Sequence, residues 1–314
     1  MTSPKPILVT GAAGNIGGIG GKIVEMLREK DLPVRALVHR IDERSDALKK
    51  IGAQIVVADM TSGSDMARSI EGCSRIYFGM SVSQAYLQAT IVAAAAAKEV
   101  KDLELFVNIS QMTVSQMSLR EFTESPQQQQ HWLAEQALNW SGLPVVHVRG
   151  TVFLEHHFFS AWAADSIAAS GELRLPFKMS RTSPVSSYDV ARVITAILEK
   201  PAGHAGKVYE LTGPISQDLH GIAKEYAEAL GRDVRYVDLP FDQWVEEVLK
   251  PSGVPEHVFH HFLTMAKLHA DNRYDRLTDD VAKITGRPGL TVREFVAGHD
   301  ELFSKCRLKE RSNA

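Results

Sequence analysis

Short apolar runs alternate with longer amphipathic stretches along the first half of the chain. Residues 5–10, 34–38, 54–58, 75–78, 103–109 and 145–148 are runs of apolar residues typical of buried strands. Between them, apolar residues recur every three to four positions, as on one face of a helix; the clearest cases are residues 64–70, 82–98 and 126–140. Strands separated by helical crossovers predict a doubly wound α/β fold with a parallel sheet covered on both faces.

The alternation changes after residue 150. Helices are predicted over residues 158–170, 185–200 and 215–230, and strands over 173–177, 208–211 and 234–237. Beyond residue 240 the pattern is helical, notably over 244–249, 258–269 and 291–302. We therefore expect a Rossmann-like domain over residues 1–155 and a smaller, mostly helical part over 156–314. Some segments of the second part should return to the main sheet and cover its carboxyl edge, where such folds bind ligands.

Composition narrows the class of protein. The 314 residues are 44% hydrophobic and 23% charged with a net charge of −3, so nothing suggests a basic surface for nucleic acid. Two cysteines, Cys73 and Cys306, make no disulfide framework and favour a cytoplasmic location. The longest apolar run, residues 91–97, is too short to span a membrane, and we expect no secretion signal.

A glycine turn follows the first predicted strand. Gly11, Gly14 and Gly17 are spaced three apart: the first allows the tight turn, the second lets backbone approach a pyrophosphate, and the third allows close packing of the helix. Gly18, Gly20 and Gly21 extend the run and predict either a delayed helix start or a loose first turn, because glycine is a poor helix former. The phosphates of a dinucleotide are expected to contact Gly11, Ala13, Gly14, Asn15, Ile16 and Gly17.

The end of the second strand bears on the choice between NAD and NADP. A carboxylate there would bind the ribose 2′-hydroxyl of NAD, whereas a cation would pair with the 2′-phosphate of NADP. His39 and Arg40 come first, which favours NADP(H) over NAD(H), although Asp42 lies close enough to leave NAD open. Strands three and four are followed by further expected nucleotide contacts: Asp59 and Met60, then Gly79 and Met80. Asp59 could also cap the next helix.

Several segments resemble the short-chain dehydrogenase/reductase superfamily, specifically its atypical NmrA-like branch. They are Val9-Thr10-Gly11-Ala12-Ala13-Gly14-Asn15-Ile16-Gly17, residues 34–38, 52–60, 141–144 and 148–155, Ser187-Tyr188-Asp189-Val190-Ala191, and Glu135. The resemblance covers nearly the whole chain. It implies nucleotide binding also by Asn108, Ser110, His131, Gly150, Thr151 and Val152. Phe153, His156 and Phe177 are expected to line a substrate pocket, with a place in the core as the alternative for Phe153 and Phe177.

The resemblance also places the catalytic positions. The superfamily uses a Ser with a Tyr-x-x-x-Lys pair; Ser110 matches the Ser, but Gln127 stands at the Tyr position and His131 at the Lys position. An amide is no general acid near neutral pH. His131, four residues further on the same helix, could donate to a ribose hydroxyl, exchange a proton near neutral pH, or have no chemical role. The expected catalytic set is His131, Gln127 and Ser110.

These residues leave three functions open. The leading hypothesis is an NAD(P)H-dependent reductase of a small aromatic or conjugated electrophile, such as a quinone or azo compound, that needs no strong acid. The alternatives are a non-catalytic NADP(H)-binding redox sensor that acts through a protein partner, and an isomerase or dehydratase. The adjacent pairs His156-His157 and His260-His261 would point apart on a helix, so no metal site is predicted. A homodimer is left open.

Overall fold

A seven-stranded parallel sheet forms the centre of the protein. The computed structural model describes residues 4–14, 18–81 and 83–304, so Asn15, Ile16, Gly17 and Val82 lie outside the described residues. The strand order is β3-β2-β1-β4-β5-β6-β9, and every neighbouring pair is parallel. The strands are β1 (Ile7–Val9), β2 (Val34–Val38), β3 (Gln54–Val57), β4 (Arg75–Phe78), β5 (Leu105–Gln111), β6 (Val145–Gly150) and β9 (Val208–Leu211).

Helices cover both faces of this sheet, which confirms the predicted doubly wound fold. They are α1 (Ile19–Glu29), α2 (Glu43–Lys50), α3 (Gly63–Ile70), α4 (Tyr86–Lys98), α5 (Pro126–Trp140) and α7 (Ser187–Glu199). On one face, α1 and α7 share a core with β1, β2 and β6; on the other, the alanine-rich α4 packs between α3 and α5. The small side chains of α4 allow this close approach, since seven of its thirteen residues are buried.

The second part of the chain has its own core and two small sheets. There β7 (Glu172–Leu175) pairs with β11 (Arg235–Asp238) in parallel, and β8 (Arg181–Thr182) pairs with β10 (Gln217–Asp218) antiparallel. The helices are α6 (Ala161–Ser170), α8 (Leu219–Leu230), α9 (Phe241–Trp244), α10 (Glu256–Ala270), α11 (Asp280–Thr285), α12 (Val292–Ala297) and α13 (Asp300–Ser304). An aromatic-rich core joins them. β9 belongs to the main sheet and α7 packs on one face of it, whereas the boundary at residue 155 stays a prediction.

Several predicted boundaries differ from the structure because of local capping. The helix predicted from residue 185 begins at Ser187, since the Ser186 side chain caps it, and the helix predicted from 215 begins at Leu219 after the Asp218 cap. The helix predicted over 291–302 is two helices, α12 and α13, because α12 ends at Gly298. Residues 245–249 form a π-helical turn followed by a short 3-10 turn.

Candidate functional site

The turn after β1 is packed against the turn after β4. The Thr10 hydroxyl donates to the Gly79 carbonyl at 3.0 Å, and the Gly79 amide donates back to that hydroxyl at 2.9 Å. Gly11 has φ +62°, and a Cβ there would lie 2.5 Å from the Gly79 carbonyl oxygen. Only glycine fits this position, for both conformational and steric reasons. The described part of the turn therefore presents bare backbone at the carboxyl edge of the sheet.

Close packing of α1 onto the turn depends on a glycine inside the helix. A Cβ at Gly20 would lie 2.6 Å from the Gly11 carbonyl oxygen and 3.0 Å from the Ala12 Cα atom. The sequence interpretation gave this packing role to Gly17, which lies outside the described residues. The delayed helix start is confirmed, since α1 begins at Ile19 with Gly18 at its N-cap in the left-handed conformation.

Basic side chains are exposed where β2 ends. Arg40 keeps 75% of its side-chain surface exposed, and His39 beside it is also exposed. Asp42 accepts from the backbone amides of Arg44 and Ser45 as the N-cap of α2, and it pairs with the Arg44 guanidinium at 2.5 Å. The Arg44 hydrogen bond, together with these amides, lowers the pKa of Asp42. Its carboxylate is thus already engaged by its own helix.

The residues that follow β3 and β4 were also expected to contact the nucleotide. The Asp59 carboxylate accepts from both the amide and the hydroxyl of Thr61, which lowers its pKa. The expectation that Asp59 caps the next helix was wrong, because the Ser62 side chain holds that position. Met60 and Met80 are partly buried against the core on this face of the sheet.

Buried polar atoms without partners collect at the ends of β5 and β6. Among the described residues, the Gln111 side-chain amide nitrogen and the Thr151 hydroxyl are buried and make no hydrogen bond. The buried Ser110 hydroxyl beside them faces the Glu135 carboxylate, whose pKa it helps to lower. The strand register places Gln111 opposite Gly150, so these atoms belong to neighbouring strand ends. Such atoms are costly unless a ligand satisfies them, which marks this edge as a polar binding site.

Polar side chains on one face of α5 fix the helix over β5 and β6. His131, Glu135 and Asn139 are four residues apart and share that face. The His147 imidazole bonds Asn139 on one side, at 3.0 Å, and Asn108 on the other, at 3.1 Å. Asn108 is therefore buried in the middle of the sheet and paired with His147, not placed at the strand end.

An ion pair anchors α5 one turn closer to the carboxyl edge. Arg149 donates twice to Glu135, at 3.0 and 2.6 Å, and Glu135 is 1% exposed. Burial by itself would raise the pKa of Glu135, but the paired guanidinium outweighs burial and holds that pKa below its usual value. The pair positions His131, which lies one further turn toward the N-terminus of α5.

His131 and Gln127 have specific partners. The His131 Nδ1 atom lies 3.0 Å from the hydroxyl of Tyr86, the first residue of α4. Burial lowers the pKa of His131 to about 4, so its imidazole is neutral at pH 7, which argues against the proton exchange expected near neutral pH. The Gln127 side-chain amide donates to the His257 carbonyl at 2.7 Å, and its oxygen is buried without a partner.

The expected substrate residues divide into two groups. Phe153 is partly buried, and its ring lies 2.8 Å from where a Gly150 Cβ would stand. His156 is also partly buried, with an unpartnered Nε2 atom, among the rings of His157, Phe158 and Phe262.

Phe177 and Val152 differ from this group because both are buried. Phe177 is 0% exposed and stacks on His269 with ring centroids 4.1 Å apart, and Val152 is 4% exposed in the same core. Phe177 is thus a core residue in this structure rather than part of an open pocket surface.

The residues present fit a dinucleotide. Glycine backbone lies where β1 ends, basic side chains lie where β2 ends, and buried unpartnered polar atoms of Gln111 and Thr151 lie where β5 and β6 end, all on one edge of a parallel sheet. This arrangement defines a Rossmann-like α/β protein of the nucleotide-binding class. The chain belongs to the NmrA-like family, whose sequence profile matches residues 3–295.

Three named proteins align with this chain over nearly its whole length. An NAD(P)H azoreductase of Xenophilus azovorans is 28% identical over 95% of this chain and 99% of its own. The NADPH-dependent quinone oxidoreductase of Escherichia coli, solved with NADPH, superimposes with a TM-score of 0.80 at 20% identity, covering 94% of this chain and 99% of its own. NmrA, a negative transcriptional regulator solved with NADP, gives a TM-score of 0.78 at 16% identity, covering 100% and 98%.

Three residues of the site were not recognised in the sequence. Gly20 was taken for a helix-weakening residue, Gln111 lay beyond the predicted end of strand five, and Tyr86 belonged to a helix with no evident role. A single tyrosine at the start of an alanine-rich helix was the available signal for Tyr86. Across residues 4–14, 18–81 and 83–304, no helix is long and apolar enough to cross a membrane, and no three His, Cys, Asp or Glu side chains are grouped to hold a metal.

Proposed function

We propose that this protein is an NAD(P)H-dependent reductase of quinones, azo compounds or similarly conjugated electrophiles. The observation that carries the proposal is a pair of neutral groups at the positions of the Tyr–Lys pair that the resemblance expects. Gln127 stands at the position of the Tyr acid, and His131 stands at the position of the Lys. Neither the amide nor an imidazole of pKa about 4 can protonate a ketone at pH 7. Conjugated electrophiles accept hydride without prior protonation, because they delocalise the added charge.

The chain's own residues would bind and orient the reactants. The backbone of Gly11 and Gly14 would bind the diphosphate, and the hydroxyls of Ser110 and Thr151 would bind polar groups nearer the reacting end. When bound, the reduced nicotinamide supplies the hydride. Phe153 would form one wall of the substrate site, since its ring is partly exposed beside Gly150. The named activities of the azoreductase and the quinone oxidoreductase support this substrate class.

NADP(H) is the preferred nucleotide in this proposal. Arg40 is 75% exposed and lies 3.9 Å from the Asp42 carboxylate, so it can turn to a 2′-phosphate. The Asp42 carboxylate is engaged by α2 and both arginines and so is a poor partner for a 2′-hydroxyl. The nucleotide that accompanies the purified protein, identified by mass spectrometry, tests this preference directly.

The activity is tested by NADPH oxidation, followed at 340 nm, across a panel of quinones and azo dyes. Turnover with at least one member is expected, and His131→Ala should slow it. The matched control is His220→Ala, which removes an exposed imidazole from α8 and should leave the rate unchanged. A panel without turnover, combined with different affinities for NADP⁺ and NADPH, would refute the reductase and support the redox sensor.

A further inference from the structure

A buried tyrosine holds the imidazole of the candidate site. Tyr86 is 0% exposed, its ring centroid lies 4.7 Å from that of His131, and its hydroxyl lies 3.0 Å from His131 Nδ1. Within the part of the chain that the structure describes, the phenol hydroxyl has no second hydrogen-bond partner. His131 Nδ1 is therefore the one hydrogen-bond partner of this hydroxyl among the described residues.

The direction of the hydrogen bond follows from this isolation. A neutral imidazole carries one N–H, so Nδ1 can either accept from the phenol or donate to it. If Nδ1 donated, the Tyr86 hydrogen would be buried without an acceptor, which is costly. If the phenol donates, the phenol hydrogen and Nδ1 are both satisfied, and the imidazole hydrogen lies on Nε2.

Neutrality of both groups is required for this argument and is supported by their surroundings. Burial raises the pKa of Tyr86, and the nearby Tyr77 and Glu135 act in the same direction. Burial also lowers the pKa of His131; Glu135 on α5 opposes this, and His261 on α10 adds to it. No proton is therefore exchanged between Tyr86 and His131 around pH 7.

We propose that Tyr86 is a positioning residue that fixes His131 as the Nε2–H tautomer, so that a neutral imidazole offers a directed hydrogen bond to the substrate. Nε2 diverges from Tyr86 by the geometry of the ring, and the imidazole is only partly buried, so this N–H can reach a ligand. A neutral imidazole held in one tautomer can act as an electrophile toward a carbonyl oxygen.

The role in the reaction rests on the proposed function. A quinone that takes up a hydride becomes a hydroquinone monoanion, while NAD(P)H is oxidised to NAD(P)⁺. The new negative charge lies on a quinone oxygen, and the Nε2–H of His131 donates to that oxygen. Solvent then supplies the proton that completes the hydroquinone. His131 keeps its own proton throughout, so the rate need not depend on titration of His131 between pH 6 and 8.

The tautomer is measurable without substrate or turnover. Protein labelled with ¹⁵N at histidine gives long-range ¹H–¹⁵N NMR patterns that differ between the two tautomers, and the loss of one pattern in His131→Gln assigns its signal. The expected wild-type pattern is that of the Nε2–H tautomer. Tyr86→Phe, which removes one oxygen atom, should show a mixture of tautomers. A wild-type Nδ1–H pattern, or an unchanged pattern in Tyr86→Phe, would overturn the positioning role.

Kinetics test the hydrogen bond to the substrate. Tyr86→Phe should lower kcat for quinones about tenfold or more while the KM for NADPH stays within about twofold, because a transition-state donor is lost and nucleotide binding is not. The control is Tyr226→Phe: Tyr226 is equally buried, lies in α8, and donates to the Phe159 carbonyl. It should change neither the His131 signal nor kcat. An unchanged kcat in Tyr86→Phe would overturn the proposed hydrogen bond from His131 to the substrate. If the wild-type protein turned over no substrate at all, the proposed reductase function would be refuted, but the NMR test of the positioning role would still stand.

Discussion

The substitution Gly20→Ala tests whether helix packing sets the shape of the nucleotide turn. An added Cβ would lie 2.6 Å from the Gly11 carbonyl oxygen, 2.9 Å from the Gly11 carbonyl carbon and 3.0 Å from the Ala12 Cα atom. All three atoms are backbone, so none can move by a rotamer change. Ordinary contact begins near 3.4 Å, so α1 and the turn must separate by about 0.8 Å.

Two opposing terms set the effect on stability. Alanine is better than glycine inside a helix by about 1 kcal/mol, whereas overpacking a tight contact costs about 1–3 kcal/mol. The free energy of unfolding should therefore fall by about 0–2 kcal/mol. Nucleotide binding should weaken more, because the displaced atoms belong to the turn that we propose binds the diphosphate. A displacement of this size should weaken NADPH binding about 10- to 100-fold.

Gly21→Ala is the matched control. It makes the same change one residue later in α1, but its Cβ would meet only the Ala12 carbonyl oxygen, at 3.2 Å. Unfolding by urea should show unchanged or slightly higher stability, and NADPH titration by fluorescence should give a Kd within about twofold of wild type. If Gly20→Ala binds NADPH like wild type, or if both variants lose affinity equally, then helix–turn packing does not shape the site.

Two further predictions concern charges at and behind the site. Arg40→Ala should weaken NADPH binding about fivefold and leave NADH binding unchanged, since an exposed ion pair contributes little more than about 1 kcal/mol to binding. The control Lys49→Ala, at the far end of α2, should affect the binding of neither nucleotide. Equal losses of affinity for both nucleotides would contradict the NADP preference. Arg149→Leu should destabilise the protein by about 3 kcal/mol at pH 7, because it leaves the Glu135 carboxylate buried and unpaired. In wild type, the lowered pKa of Glu135 stabilises the fold above pH about 4.5, and this stability is lost only as the pH falls below that value. In the variant, burial raises the pKa of the unpaired Glu135, so the variant regains stability as the pH falls toward 4.5. The gap between the two proteins should thus narrow from pH 7 to pH 5 in thermal unfolding, and a constant gap would contradict the burial argument.

The sequence by itself determined the order of the elements and the class of fold. The six strands predicted before residue 150 all occur in the main sheet, because a run of apolar residues between turn residues is a local signal. Parallel pairing followed from the helical crossovers, and crossovers also place the strand ends on one edge. For that reason the turn at Gly11 and the strand ends at Gly79 and Ser110 could be assigned to one site.

Predictions from the sequence stayed open wherever a local signal had two physical explanations. Asp59 could bind a nucleotide or cap a helix, and the structure shows that Ser62 is the cap. Asn108 was expected to contact the nucleotide, but β5 continues to Gln111, which leaves Asn108 inside the sheet beside His147. The length of β5 depends on its pairing with the neighbouring β6, so it could not be predicted from the residues of β5 alone.

Only the tertiary structure decided which partners the polar side chains have. Tyr86 and His131 are 45 residues apart, and Glu135 meets Arg149 only because α5 packs across β6. Gly20 contacts Gly11 because α1 folds back over the turn. A sequence pattern reports the periodicity of a segment, whereas the pKa of His131 and the steric demand at Gly20 arise from contacts between segments. The nucleotide-binding class is thus a property of the local pattern, and the neutral, tyrosine-bound imidazole is a property of the packed protein.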